Sequence, residues 1–540
     1  MVLEVHDSRL LGPVIQALPG FLQRQRWFAG KAKRISGCQV LDIIPVRNRP
    51  DALYFFLVRV EFAGGKPQTY ALPLQEFSSP SEAEAADAAG VALKIDLEDH
   101  EDADAVIFGD ALRLRDFPET MLAVIGNDSK LAGMSGELIG VSTSAFQSLR
   151  VPDSRLETSV LSIEQSNTSI VFGRRLILKI FRLLEEGINP EIEICSFLTE
   201  RTSFSNVAAV AGALEYRQDE KPPMSLGVLQ AFVPNQGDAW KFTLGAVGTY
   251  FDRVLESTSS EAAPPAAPRL VLSGEKPPPA AVERVGSYLE SAELLGRRTA
   301  ELHVALASET RDPAFAPEPF TPQYLQSLHT SMMGLMQQNL KLLGDRSQDL
   351  AREDRDLAGL VLRHERDLRS RLDRVLDSKT TGLRTRVHGD YHLGQVLYTG
   401  SDFVIIDFEG EPARPLHERR EKRSPLRDVA GMIRSFHYAV YTVAFQRGGG
   451  EKQKQDLDAW ARYWHTYVSA AFLKSYLGSA LRGSFLPKGP DELRLALDVL
   501  LLEKAIYELG YELNNRPTWV RIPLEGIVQT LADQAQITTV

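Results

Sequence analysis

The chain has 540 residues, too many for one hydrophobic core, so two or three folded units are expected. Its net charge of −10 comes without a long Lys/Arg run, which argues against nucleic acid or an anionic membrane as a main partner. Cys38 and Cys195 are the only cysteines, which rules out a disulfide framework, and neither an 18-residue apolar run nor a signal-peptide core is present. A soluble cytoplasmic protein is expected.

Residues 1–92 read as a β-rich N-terminal cap. A short helical pattern and the basic string R-Q-R-W-F-A-G-K-A-K-R, from Arg24 to Arg34, precede strand-like segments at 39–46, 53–62 and 68–74. The acidic stretch 95–104 reads as a surface loop. Residues 93–235 read as an intermediate region and a small β-lobe. From 156 onward a strand, a polar turn, a second strand, a turn at Gly173-Arg174 and a third strand, Leu176–Phe181, are expected. Asn189 and Pro190 then suit a helix cap and first turn, and a further strand is expected at 226–233.

Lys179 sits inside the apolar strand L-I-L-K-I-F and needs a partner, because an unpaired buried ammonium is costly. Glu193 in the following helix is the first choice and Glu191 the second. No G-x-G-x-x-G or Walker sequence occurs. The turn at the corresponding place is E-Q-S-N-T-S, where Gln165, Ser166, Asn167, Thr168 and Ser169 offer hydroxyls, amides and backbone N–H groups to phosphates.

Residues 236–540 read as a mostly helical lobe, interrupted by a Pro/Ala-rich segment at 257–281 expected to be a flexible insertion. Helices are expected at 287–306, 322–343, 349–376 and 503–515. Within this lobe, 386–412 holds two short apolar strands around a T-G-S-D turn. A hairpin folds its ends together, so Asp390, Gln395 and Asp407 are expected to converge. Two carboxylates and a carboxamide suit a hard cation such as Mg²⁺. The spacing matches the kinase pattern of a catalytic-loop Asp, an amide ligand five residues on, and a metal-holding Asp-Phe pair. Asp390 is then the base, Gln395 and Asp407 the metal ligands, and Lys179 the phosphate-orienting lysine. His388 reads as loop support and His392 as an acceptor contact. Asp428 is expected to brace the loop. On the helix at 503–515, Tyr507, Glu508, Tyr511, Glu512 and Asn515 share neighbouring faces and suit a sugar.

The strings R-W-F-A-G-K, E-Q-S-N-T-S, L-I-L-K-I-F-R, N-P-E-I-E, V-L-Q-A-F-V-P-N, V-H-G-D-Y-H-L-G-Q, I-D-F-E-G-E-P, S-P-L-R-D-V-A-G-M-I-R-S-F and Y-E-L-N-N-R-P closely resemble bacterial maltokinases, within the aminoglycoside phosphotransferase-like superfamily. The resemblance implies an α+β, bilobal protein-kinase-like fold: a β-rich N-lobe with an N-terminal cap, and a mostly helical C-lobe. It implies transfer of the ATP γ-phosphate to the anomeric hydroxyl of maltose, feeding α-glucan synthesis, with Mg²⁺. It also makes Gln230, Phe232 and Val233 the adenine-contacting hinge. A functional link to trehalose synthase follows from fusions within the family, and a monomer is expected. Ala29 and His437 depart from the family's usual glycine and aspartate. The alternatives are a kinase for another sugar, such as glucosamine, or a catalytically silent nucleotide-binding module.

Overall fold

The computed structural model describes residues 8–47, 52–77, 92–95, 106–113, 116–149, 156–161, 167–257, 277–376, 380–448 and 451–535. The chain divides into two compact units, one comprising Met1–Arg201, Ala208–Pro234 and Pro415–His417, the other Thr202–Val207, Asn235–Arg414 and Glu418–Val540.

The first unit contains two antiparallel sheets. In the cap sheet, Ile35–Arg47, Leu53–Phe62 and Gln68–Glu76 form a meander that continues through Val106–Asp110 to Ala92–Ile95, and Leu183–Leu184 pairs with Gln68–Glu76. The central strand, Leu53–Phe62, is buried on both faces over most of its length. Helix Ser8–Arg24 lays Val14, Leu18, Phe21 and Leu22 on one face, a helical stripe, while Phe55 on the other face meets Phe117 of helix Asp116–Gly126. The cap sheet therefore extends beyond the expected limit of 92.

The second sheet has seven strands, with Leu176–Phe181 interior between Asn167–Phe172 and Met224–Ala231. Gly173 and Arg174 both have positive φ, +51° and +55°, at the centre of a tight turn that Arg175 N closes by donating to Phe172 O at 2.9 Å. Helix Pro190–Arg201 is capped by Asn189, whose side-chain oxygen accepts from Glu191 N at 2.8 Å. Arg182 joins the two sheets. Its carbonyl accepts from Ala71 N, and its buried guanidinium pairs with Asp110 at 2.5 Å, stacks over Trp27 at 4.5 Å and reaches Thr168 Oγ1 at 3.3 Å.

The second unit is helical around Leu426–Gln446, which is buried on every side from Leu426 to Ala444 and so lies at the centre of its packing. Phe436 on this helix meets Trp464 and Phe472 of the long helix Glu451–Ala480. Two expectations change here. The stretch 349–376 forms two helices, Arg352–Arg363 and Glu365–Asp373, because His364 leaves helical geometry at φ −94° and ψ 18°. Most of the 257–281 segment lies outside the described residues, but its end is ordered as helix Pro279–Val285, where Pro278 and Pro279 provide an extended entry and a preset first turn.

Candidate active site

Lys179 is buried, and its strand pairs on both sides, with Ser169 opposite in one neighbour and Val228 in the other. Its Nζ forms an ion pair with Glu191 Oε2 at 3.0 Å. Glu191, rather than the first-choice Glu193, is thus the partner. The reason lies in the helix periodicity: Glu191 opens the face continued by Ile194, Cys195 and Leu198, all buried, whereas Glu193 is half-buried on a different face. The expected phosphate turn also shortens. Asn167, Thr168 and Ser169 belong to a strand, Ser169 being buried opposite Lys179 and Thr168 accepting from Arg182, while Gln165 and Ser166 lie outside the described residues. Gln230 is a buried strand residue paired with Ile177 and Val210; the chain leaves the sheet at Phe232, whose N–H donates to Arg175 O at 2.8 Å, followed by Val233.

In the second unit the expected hairpin forms from Val396–Tyr398 and Phe403–Ile405, in register Val396↔Ile405. Gln395 ends a short 3₁₀ turn, Leu393–Gln395, and its Nε2 donates to Asp407 Oδ2 at 2.7 Å. His392 caps that turn by accepting from Gly394 N at 3.0 Å. Burial lowers the His392 pKa, against the raising influence of Asp390 and Asp407, so the ring that caps the turn is held neutral. His392 shapes the loop through Nδ1.

His388 packs within the loop. Its Nε2 hydrogen-bonds Ile406 O at 2.9 Å and its ring lies 4.7 Å from that of Phe408. Asp428, fully buried on the central helix, accepts from His388 N at 2.8 Å and Gly389 N at 3.0 Å, and meets His303 Nε2 at 3.0 Å. Gly389 has φ +88°, which only glycine adopts freely. Close packing fixes the loop from the other side: a Cβ on Gly431 would stand 2.5 Å from the Tyr391 carbonyl.

Lys504, not singled out in the sequence, brings its Nζ to 3.5 Å from Asp390 Oδ1 and 3.2 Å from Glu411 Oε1. Glu411 also takes Arg414 at 2.6 Å and Arg427 at 3.4 Å, and Arg427 pairs with Glu503 at 2.8 Å. Burial opposes the Glu411 charge, but Lys504, Arg427 and Arg414 outweigh it and hold the carboxyl well below the usual range. The signal was present in the sequence, since Glu503-Lys504 interrupts the apolar run L-L-L-E-K-A-I and charges placed there require partners.

The helix expected to carry an acceptor site, Pro490–Asn515, presents a mixed face. Glu508 is paired with Arg434 at 2.7 Å. Glu512 is buried, with Arg516 at 2.7 Å and Tyr438 OH at 3.1 Å on its oxygens, and Asn515 turns its amide back to Tyr511 O at 2.9 Å. Glu512 and Asn515 are thus engaged within the helix and its packing, while Tyr507 is half-buried and Tyr511 exposed. His437 is buried one turn from Arg434, which explains its role as packing in this layer.

Residues 21–107 match the maltokinase N-terminal cap domain. The chain is 25% identical over 381 residues to the glucosamine kinase of Streptacidiphilus jiangxiensis, covering 69% of this chain and 73% of that protein. It is 22% identical over 379 residues to the glucosamine kinase of Mycolicibacterium smegmatis, covering 70% and 80%. Among solved structures, a glucosamine kinase in complex with glucosamine, ADP and inorganic phosphate superposes with a TM-score of 0.61 at 16% identity, over 96% of this chain and 99% of that one. Crystal form B of a glucosamine kinase gives 0.63 at 16% identity, over 97% and 99%. The fold is thus the α+β, bilobal kinase-like one, with an N-terminal cap. Among the described residues no helix is long and apolar enough to cross a membrane.

Proposed function

We propose that this chain, with a maltokinase cap domain on a kinase-like fold, is an ATP-dependent sugar kinase that phosphorylates maltose at its anomeric hydroxyl. Asp390 is the base. It takes the hydroxyl proton as the sugar oxygen bonds to the γ-phosphorus, and the bond from that phosphorus to the β–γ bridging oxygen breaks to release ADP. Gln395 and Asp407 offer only oxygen ligands once the amide turns over, and His388 is committed to a backbone carbonyl, so the pair fits Mg²⁺ rather than zinc. When bound, the ion neutralises charge on the phosphates. Lys179, directed by Glu191, orients the α- and β-phosphates, and Phe232 and Val233 line the adenine.

The observation favouring a neutral acceptor is the pairing of carboxylates on helix Pro490–Asn515. Glu503, Glu508 and Glu512 are matched by Arg427, Arg434 and Arg516 respectively. An ammonium sugar would have to compete with a guanidinium for each of them, whereas a neutral sugar needs hydroxyl contacts and ring faces of the kind Tyr507 and Tyr511 offer. The second reading, glucosamine as acceptor, is supported by the named activity of the relatives along most of the chain.

ADP release with ATP and Mg²⁺ across maltose, glucose, glucosamine, trehalose, an aminoglycoside and no acceptor tests both. Turnover with maltose, giving a product without a reducing end, is expected. Preference for glucosamine favours the second reading. ATP binding without turnover on any acceptor replaces both with a nucleotide-binding module.

A further inference from the structure

We propose that Lys504 is a positioning residue for phosphoryl transfer, its ammonium anchored on Glu411 and orienting the Asp390 carboxylate to receive the acceptor's proton. This rests on Asp390 being the base, and goes beyond it by assigning a residue that makes the base work. The geometry is asymmetric. Glu411 is the fixed end, its side chain 2% exposed, whereas Asp390 is 24% exposed and needs something to hold it.

Charge matching argues that Lys504 is not there merely to neutralise Glu411. Arg414 already sits 2.6 Å from Glu411 and Arg427 3.4 Å away. Lys504 is thus one of three cations on Glu411, and its attraction to that carboxylate outweighs the desolvation of the ammonium. Among the described residues, its other salt-bridge partner is Asp390. On another side the ammonium faces the Tyr507 ring at 4.8 Å, which restricts its movement. Burial works against its charge, but Glu411, Asp390 and Glu508 raise its pKa above the ordinary lysine value, so the cation persists throughout the working range.

A held carboxylate matters because a base contributes only when its lone pair is already aimed at the proton. With Lys504 on Oδ1, the other oxygen of Asp390 is the one left to face the acceptor hydroxyl. Replacing the ammonium by an uncharged chain of similar length lets the carboxylate rotate, which should slow chemistry without weakening nucleotide binding.

The test is a double-mutant cycle on the full chain, using whichever acceptor in the panel supports turnover. K504M should lower kcat roughly 10- to 100-fold, part of the roughly 10²–10⁴-fold supplied by a positioned base, with the KM for ATP and the melting temperature close to the parent's. K504R should recover part of the loss. D390N should fall at least as far, and D390N/K504M should be no slower than D390N alone. If K504M does not fold, K504Q carries the cycle. An equal loss from K504M in the parent and in D390N would overturn the inference while leaving the base assignment standing, as would full kcat in K504M. Parent-like turnover in D390N would remove the base assignment and this inference together, and so would a parent chain inactive on every acceptor.

Discussion

Gln395 donates to Asp407 at 2.7 Å, and Asp407 makes that contact from a left-handed backbone with φ +65°. Asp and Asn visit this region more readily than other residues with a Cβ, because their short polar side chains bond locally. Substitutions at this position can therefore separate charge from conformation. D407N should keep the turn, melting near the parent, yet lose at least about a hundredfold in turnover if the carboxylate holds Mg²⁺. D407A should lose the same activity and, in addition, roughly 1 kcal/mol of stability. Turnover measured beside thermal melts decides this, and comparable melting of the two variants would contradict the strain argument.

Glu191 and Glu193 are two residues apart and face different ways, so they should respond unequally. E191Q removes the Glu191 carboxylate from the buried Lys179 ammonium, and should lower stability and raise the KM for ATP. E193Q should cost far less in both respects. Urea unfolding midpoints and nucleotide titrations of the two proteins provide the comparison.

Asp428 and Gly431 hold the loop from one helix by different means. D428N presents an NH₂ group to backbone donors of His388 and Gly389, and should cost roughly 1–3 kcal/mol for the unsatisfied group. G431A drives a methyl toward the Tyr391 carbonyl and should cost a similar roughly 1–3 kcal/mol by overpacking. Both should lower kcat more than they raise the KM for ATP, which steady-state kinetics resolves.

Much of this centre was legible in the sequence because its chemistry is local. The hairpin 396–405, the Gln395–Asp407 contact across its ends and the Asn189 cap form between residues close in the chain. Where the reading went astray, the deciding contacts were distant or a matter of phase. Spacing alone favours Glu193, but the burial of Ile194, Cys195 and Leu198 turns Glu191 toward Lys179. Helix spacing makes Glu512 a sugar-ligand candidate, but Tyr438, 74 residues earlier in the chain, donates to it. Lys504 went unnoticed because its two carboxylates lie 114 and 93 residues away, Asp390 at 504 minus 390 and Glu411 at 504 minus 411.

His437 and His465, like His392, weaken the fold in acid. Burial, reinforced by Arg434, lowers the His465 pKa to about 4, partly offset by its bond to Ile433 O; burial with Arg434 and His465 also lowers that of His437. Both groups bind protons less readily folded than unfolded. As pH falls through the ordinary histidine value near 6.5, the unfolded chain takes up protons first, so stability is full above that pH and declines below it. The slope is about 1.4 kcal/mol per pH unit for each histidine, continuing for His465 to about pH 4. H465Q should flatten the slope by about one proton between pH 6.5 and 4.5. An unchanged slope in urea midpoints across that window would contradict it.

Arg182 gives the cap a place in the order of synthesis. Its carbonyl, its guanidinium and the adjoining Leu183–Leu184 strand are all used by a cap sheet whose other strands end by Asp110. On a ribosome, the cap emerges about seventy residues before the arginine that matches Asp110 and covers Trp27, and it waits with an open strand edge until the lysine-bearing strand has followed it out. The cap is therefore finished by the kinase sheet, and the two mature as one folding unit.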